Sequence, residues 1–450
     1  MVQTQSWFKT IIPIATIFAS RMLGLFMLIP IFTLYANKLS GATPILVGIA
    51  FGAYGLSQGL LQIPFGLLSD KFGRKPLIAV GLVLFIIGSL IGACSDTIYS
   101  MILARLMQGM GAIGSVLIAL TADLTKDNDR TKAMAVIGLT IGVSFSLAMV
   151  ISPAISHAFG LAGIFYLTAI FGFIGLAILY LVIPTPVQQR FHLDSETNAT
   201  LIAVVIKNRQ LLALDFGIFF QHLILTATFF ALPLILKNEL AMSLADKSLY
   251  FYLPIMISAF VLMVPFIVLA EKYQRMPMVF IGAIVVIALS QLCLSFEYQN
   301  FHLLTACVLI YFVAFNVLEA LLPSLISRKA PIHSKGTAMG VYSTSQFLGI
   351  FVGGALAGFL FRYFSFTGIY LVNTVLTIIW FLISTRIDLA TNLTSVMISC
   401  ELDVINDSIK AKLQSFPGVQ EMVFSKEEDA IYLKVNQNQF DLESFKAIIA

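Results

Sequence analysis

Apolar runs separated by short polar loops fill the chain up to about position 390. Each run is about 18 to 25 residues long, the length a helix rising about 1.5 Å per residue needs to cross about 30 Å of hydrocarbon. The pattern predicts twelve membrane-spanning helices, near 11–35, 45–69, 77–95, 98–122, 131–157, 161–184, 211–236, 249–270, 277–296, 301–326, 336–361 and 366–385. Strands of a membrane barrel would alternate apolar and polar at every second residue, and these runs do not. The polar stretch 185–210 reads as a linker between an amino-terminal bundle of six helices (1–184) and a carboxy-terminal bundle of six (211–388). Residues 391–450 follow another pattern. Leu393–Cys400, Val419–Phe424 and Ala430–Val435 read as strands, Asp403–Ser415 and Asp441–Ala450 as helices, and Pro417-Gly418 as a turn. The fold class is thus an all-α membrane protein with a small α+β (βαββα) domain appended.

Composition agrees. Hydrophobic residues make up 59% of the chain and charged residues 11%, against about 25% charged in a soluble domain. The net charge of +4 is spread over many short loops, which argues against a nucleic-acid partner and for the lipid bilayer. Positive charge also predicts orientation. Lys38, Lys237, Lys247 and Arg362 are the basic residues of one face. The other loops, from Lys9 through Lys71, Arg74 and Lys75 to Arg386, carry most of the rest. Both termini are therefore expected in the cytoplasm and the chain in the inner membrane. The first apolar run is too long for a signal-peptide core. The four cysteines stand singly, with no CxxC; Cys293 and Cys307, on neighbouring spans, are the one pair placed for a disulfide. No metal site, cofactor site or nucleophile–base constellation appears, so an enzyme is not expected.

The two bundles repeat in sequence. Ile63-Pro64-Phe65, Asp70-Lys71, Arg74 and Pro76 recur at an offset of 201 as Val264-Pro265-Phe266, Glu271-Lys272, Arg275 and Pro277. Parallel repeats of this kind relate two halves about an axis along the membrane normal, with a solute site between them near the midplane.

The segment Gly66-Leu67-Leu68-Ser69-Asp70-Lys71-Phe72-Gly73-Arg74-Lys75 resembles the signature between helices two and three of the major facilitator superfamily. Arg105-Leu106-Met107-Gln108-Gly109-Met110-Gly111-Ala112 is similar to the fourth-helix motif of its proton-coupled members. The small domain resembles a ferredoxin-like fold, as in the YajR-like branch. A carboxylate at a helix carboxyl end, as at Asp70, is unfavourable by itself. The resemblance implies that Asp70 pairs with Arg74 and faces the start of helix eleven near Gly336 and Thr337. It also implies that Asp123 extends the relay. Gly66 would permit close helix approach and Gly73 a tight turn. Gly66, Asp70, Gly73, Arg74 and Asp123 are thus expected to form a conformational latch. Drug/proton antiporters of the superfamily carry Gly-Pro in helix five, where this chain has Ser152-Pro153.

Ionisable residues inside a membrane are expensive and mark function by default. Glu319, His222 and Asp215 are expected proton-coupling residues, since carboxyl and imidazole groups exchange protons in the physiological range when suitably placed, and the resemblance of the fourth-helix motif implies a coupling role for Arg105. Arg21, Gln58, Gln108, Asn316 and Gln346 are the expected substrate-cavity residues. Each also has a structural reading, as a side chain satisfied between helices. The expected function is secondary active transport, a proton-coupled export of small molecules by alternating access, by a monomer. An uncoupled facilitator or importer, or a membrane solute sensor with a regulatory carboxy-terminal domain, stays open. The tail segment Leu413…Phe416-Pro417-Gly418-Val419 resembles metal-carrying domains but lacks their CxxC, so no metal is expected there.

Overall fold

The computed structural model describes residues 7–125, 127–185, 199–243, 246–389, 393–400, 407–425, 430–436 and 439–449. In chain order the helices are α1 (Trp7–Phe26), α2 (Phe32–Ala36), α3 (Pro44–Phe72), α4 (Arg74–Ala93), α5 (Ile98–Met110), α6 (Gly114–Leu124), α7 (Asp127–Leu181), α8 (Ile202–Lys207), α9 (Arg209–Asn238), α10 (Leu253–Glu271), α11 (Met276–Glu297), α12 (Phe301–Lys329) and α13 (Lys335–Ser384). Polar side chains start several of them. Thr43 accepts from Leu46 N at 3.2 Å, with Pro44 in the first turn. Asn208 caps α9 through Gln210 N and Leu211 N, and Asn300 caps α12 through His302 N and Leu303 N. Each side-chain oxygen meets backbone donors that the helix itself leaves unsatisfied.

Two spans expected as single helices are broken. The first is divided by a turn between Phe26 and Phe32, and the fourth by Gly111–Ile113 between α5 and α6. Conversely, the paired spans 131–157 and 161–184 run as one element, α7. At about 1.5 Å per residue its 55 residues reach about 80 Å, more than twice the hydrocarbon thickness. It reverses at Gly160, whose φ of 66° and ψ of −167° lie in a region that only glycine occupies freely. The paired spans 336–361 and 366–385 likewise run as α13, reversing at Ser365 with φ 57° and ψ −159°. Counting these reversals, the described helices supply the twelve crossings. Of the linker, 199–207 is helical, and residues 186–198 lie outside the described residues. Cys293 and Cys307 are free thiols, so the disulfide that spacing allowed is not formed.

The two halves meet along α3 and α13. A Cβ on Gly48 would stand 2.3 Å from Gly354 O, and one on Gly354 2.6 Å from Gly48 O, so only glycine admits this crossing. The approach continues through Gly52 and Phe351, then Gly55 and Phe347. A Cβ on Gly59 would stand 3.3 Å from the nearest atoms of α13, and Thr344 Oγ1 donates to Gly59 O at 3.2 Å. The seam is therefore tightest at the end remote from Asp70. Aromatic rings bridge the halves there as well: Phe145 of α7 lies 6.2 Å from both Phe229 of α9 and Phe312 of α12. One apolar core runs through this bridge into the second half. A separate core fills the Asp70 end of the first half and touches the second through Phe347 and Ile350.

The carboxy-terminal segment contains β1 (Leu393–Ser399), α14 (Asp407–Gln414), β2 (Val419–Ser425), β3 (Ala430–Asn436) and α15 (Leu442–Ile449). The strands form an antiparallel sheet in the order β1-β3-β2. Ile431, Leu433 and Val435 face a core with Leu413 and Phe445. The expected helix 403–415 is described from Asp407; 401–406 and the turn 426–429 lie outside the described residues.

Candidate functional site

Three polar clusters in the helical region hold expected site residues, and side chains from distant sequence positions build each. At the ends of α3, α4 and α6, Arg74 is 2% exposed. Its Nε donates to Asp123 Oδ2 at 3.1 Å, and its Nη1 to Ser69 Oγ at 2.6 Å and to Asp70 Oδ1. The Asp123 side chain is fully buried, while that of Asp70 is 35% exposed. Ser69 in turn donates to Gly66 O at 2.7 Å. Gly73 closes α3 at φ 97°. Buried ions persist where partners satisfy them, and Arg74 has carboxylates from two helices. The next residue, Lys75, donates its Nζ to Ile183 O at the end of α7. The repeat-equivalent acid, Glu271, pairs instead with Arg328 of α12.

The second cluster lies in the first half. Arg21 of α1, 2% exposed, donates through Nη2 to Gln58 Oε1 at 2.5 Å and Tyr54 OH at 3.1 Å. Gln58 donates onward to Gln62 at 3.0 Å. Arg105 of α5, 3% exposed, sits over the Tyr54 ring at 5.2 Å and donates to Gln108 Oε1 at 2.9 Å, and Gln108 donates to Ser89 at 2.9 Å. Two guanidinium groups thus converge on Tyr54, Arg21 donating to its hydroxyl and Arg105 over its face, where the ring quadrupole attracts a cation. Nε and Nη1 of Arg21 and Nε of Arg105 are buried with no hydrogen-bond acceptor among the described residues. Tyr54 abuts Phe347 across the seam, ring centroids 6.3 Å apart.

The third cluster lies in the second half, just past Phe347. Glu319 of α12 accepts from Gln221 Nε2 at 2.9 Å and from Gln346 Nε2 at 3.3 Å. Gln346 is also 2.9 Å from His222 Nε2, which stands 3.9 Å from Glu319. Three helices, α9, α12 and α13, therefore meet on one carboxylate. The Glu319 side chain keeps 34% exposure in an otherwise buried setting.

The expected coupling set separates in space. Glu319 and His222 meet as anticipated, and Gln346, expected in the cavity, joins them. Arg105 belongs to the other half, with Arg21, Gln58 and Gln108. Asp215 lies on α9 seven residues before His222, about 10 Å along the axis. Both its carboxylate oxygens are buried without a hydrogen-bond partner among the described residues. Asn316, expected in the cavity, is half-buried on α12 one turn before Glu319 and forms no hydrogen bond among the described residues. Sequence reasoning missed Tyr54, Gln221 and Ser69. Each sits beside or one turn from a residue it did single out, and helical spacing was the available signal.

The chain matches the model of the Major Facilitator Superfamily over residues 14–353 and 214–391. It is 41% identical over 434 residues to the inner membrane transport protein YajR of Escherichia coli (strain K12), covering 96% of this chain and 95% of that one. It is 31% identical over 385 residues to an uncharacterized transporter of Buchnera aphidicola subsp. Baizongia pistaciae, covering 84% and 96% of the two chains. Among solved structures, a bacterial homolog of the human lysosomal transporter Spinster superposes with a TM-score of 0.67 at 13% identity, over 83% of this chain and 95% of that one. That likeness is one of fold. The paired halves, the Asp70–Arg74 motif and these matches agree: the chain belongs to the Major Facilitator Superfamily and is a secondary transporter with a YajR-like small domain.

Proposed function

We propose that this transporter couples solute export to proton entry, and that Glu319 is the proton-binding group. The observation that carries the reading is the meeting of Glu319 with Gln221, His222 and Gln346. A carboxylate held by two amide donors loses the partner charge they point at when it takes up a proton. Gln346 is then free to turn toward His222 or a solute. Because Gln346 stands on α13, the helix of the seam, a proton on Glu319 acts directly on the contact between halves. Asp215, two turns along α9 toward the latch end, is the way-station to that face. The solute lies between this cluster and Arg21, Gln58 and Arg105. Two buried cations with no carboxylate among their described partners favour a solute bearing a negative or strongly accepting group there.

Alternating access follows from the seam, which is shut tightly at one end only. The α3–α13 register pairs Gly48 with Gly354 and Gly59 with Thr344. Extended further, it sets Asp70 beside the start of α13. The Asp70–Arg74–Asp123 cluster is the latch that closes this end in the other arrangement. The latch face is cytoplasmic, with both termini on that side of an inner membrane, and the working unit is the monomer.

The test uses proteoliposomes with an imposed pH gradient and solutes chosen by thermal shift of the purified protein. Glu319→Gln is expected to lower gradient-driven flux by at least about tenfold, equivalent to about 1.4 kcal/mol, while solute binding and solute–solute exchange persist. Gradient-driven flux at the wild-type rate in this variant would overturn the coupling.

A further inference from the structure

The strand β3 is buried on both of its faces, which a three-stranded sheet with helices on one side does not itself require. Ile431, Leu433 and Val435 point to the small domain's own core. Ala430, Tyr432 and Lys434 point the other way, onto the loop that joins α12 to α13. Ile332 of that loop, 4% exposed, packs against Ala430 and Tyr432 with Met397 and Val423. Met397, Tyr432 and Val423 are one rung across all three strands, so a single row of side chains forms the socket.

The next rung on the same face carries Lys434 and Glu421. Lys434, 8% exposed, donates to Lys329 O at 3.2 Å and Ala330 O at 3.0 Å, the carbonyls that end α12. A cation there meets the negative end of the helix dipole. Glu421 Oε1 accepts from Ile332 N at 3.2 Å. Burial lowers the pKa of Lys434 and nearby Glu421 supports its charge, while Lys329 and Lys335 oppose it. The loop itself is enclosed, with Ala330 2%, Ile332 4% and Ser334 1% exposed. Lys329 also pairs with Asp388 at 3.1 Å, tying the end of α12 to the segment from which the small domain hangs. The turn that follows the loop, Gly336 and Thr337, begins α13 and is buried.

We infer that the sheet face of Ala430, Tyr432, Lys434 and Glu421 is a clamp on the transport cycle. Docked on residues 330–334, it holds the start of α13, and its release shifts the balance between the two arrangements of the halves. The docking stands on the contacts alone; the effect on balance rests on the alternating-access reading proposed above.

The experiment uses full-length protein in nanodiscs, native cysteines replaced, with spin labels at Lys71→Cys and Lys272→Cys. Both positions are exposed at the latch end, one in each half. Hydrogen exchange of 330–334 reports docking, and exchange of 431–435 reports that the small domain stays folded. Lys434→Ala removes the cap on α12. Ile332→Ser empties the socket from the transporter side and leaves the small domain untouched. Both are expected to speed exchange of the loop and to change the ratio of the two label distances at least about threefold, with Lys434→Arg close to wild type. Loop exchange that stays slow in both variants overturns the docking. Faster exchange with an unchanged distance ratio overturns the clamp, as does a ratio that changes in Lys434→Ala alone with protection of 431–435 lost. Gradient-driven flux of the same samples, read separately, tests the proton coupling and leaves the clamp's readouts unaffected.

Discussion

At the scale of single residues, the Asp70–Arg74–Asp123 cluster sets out what a buried ion needs. Arg74 is almost wholly enclosed, and three oxygens, from Ser69, Asp70 and Asp123, receive its donors. Asp70 and Arg74 are four positions apart, flanking the turn at Gly73, and that part of the cluster is legible in the chain. Asp123 comes from another helix, and resemblance alone pointed to it. Removing its charge leaves Arg74 one ionic partner among the described residues. Asp123→Asn is therefore expected to destabilise the protein by about 2 kcal/mol, the scale of a hydrogen bond to a charged group. A fall in the thermal midpoint of the detergent-purified protein checks this, and an unchanged midpoint would show that Asp70 and Ser69 suffice. Lys434 illustrates the opposite case. In the sequence it sits among alternating strand residues like any solvent-facing lysine, and only the loop against it explains its burial.

At the scale of elements, the two long hairpins α7 and α13 solve one problem differently. Each must reverse without a loop, at a residue with positive φ and extended ψ. Gly160 meets that requirement without penalty, and Ser365 does not. A Cβ in this region costs about 1–3 kcal/mol. Ser365 is exposed and makes no hydrogen bond among the described residues that would offset the strain. Ser365→Gly is thus expected to raise stability by about 1 kcal/mol, read as a higher thermal midpoint with transport unchanged. Gly160→Ala should do the reverse. The spans expected to end at 157 and 361 and to restart at 161 and 366 leave gaps into which both reversals fall. What hydropathy does not record is that each turn is made by the torsions of one residue inside a continuous helical element. The breaks after Phe26 and at Gly111 were hidden in the same way, since short non-helical turns enclosed by neighbouring helices need no polar residues.

At the scale of the whole molecule, the charges of the loops and the closure of the seam describe the same polarity. Basic loops, the Asp70–Arg74 cluster and the small domain share one face, and the tight glycine crossing of α3 and α13 lies toward the other. If the basic face is cytoplasmic, a membrane-impermeant maleimide added to intact cells will modify Lys38→Cys and Lys237→Cys, both exposed. It will reach Lys71→Cys and Lys272→Cys only after permeabilisation. The reverse pattern would invert the proposed direction of transport, because the sense of the proton gradient is set by which face meets the cytoplasm.

The sequence by itself determined the number of crossings, the two-half repeat, the motif at Asp70 and Arg74, and the residue types that would carry charge into the membrane. These depend on local composition and periodicity, which hydrocarbon thickness and backbone hydrogen bonding impose directly on the chain. Tertiary structure alone decided which of those charges meet. It placed Glu319, His222 and Gln346 together with the unsuspected Gln221, sent Arg105 to Tyr54 in the other half, and left Asp215 apart. It also seated the small domain on the loop before α13. Such meetings depend on how helices far apart in sequence cross and rotate. Packing sets those angles collectively, through side chains whose contacts no single stretch of sequence records.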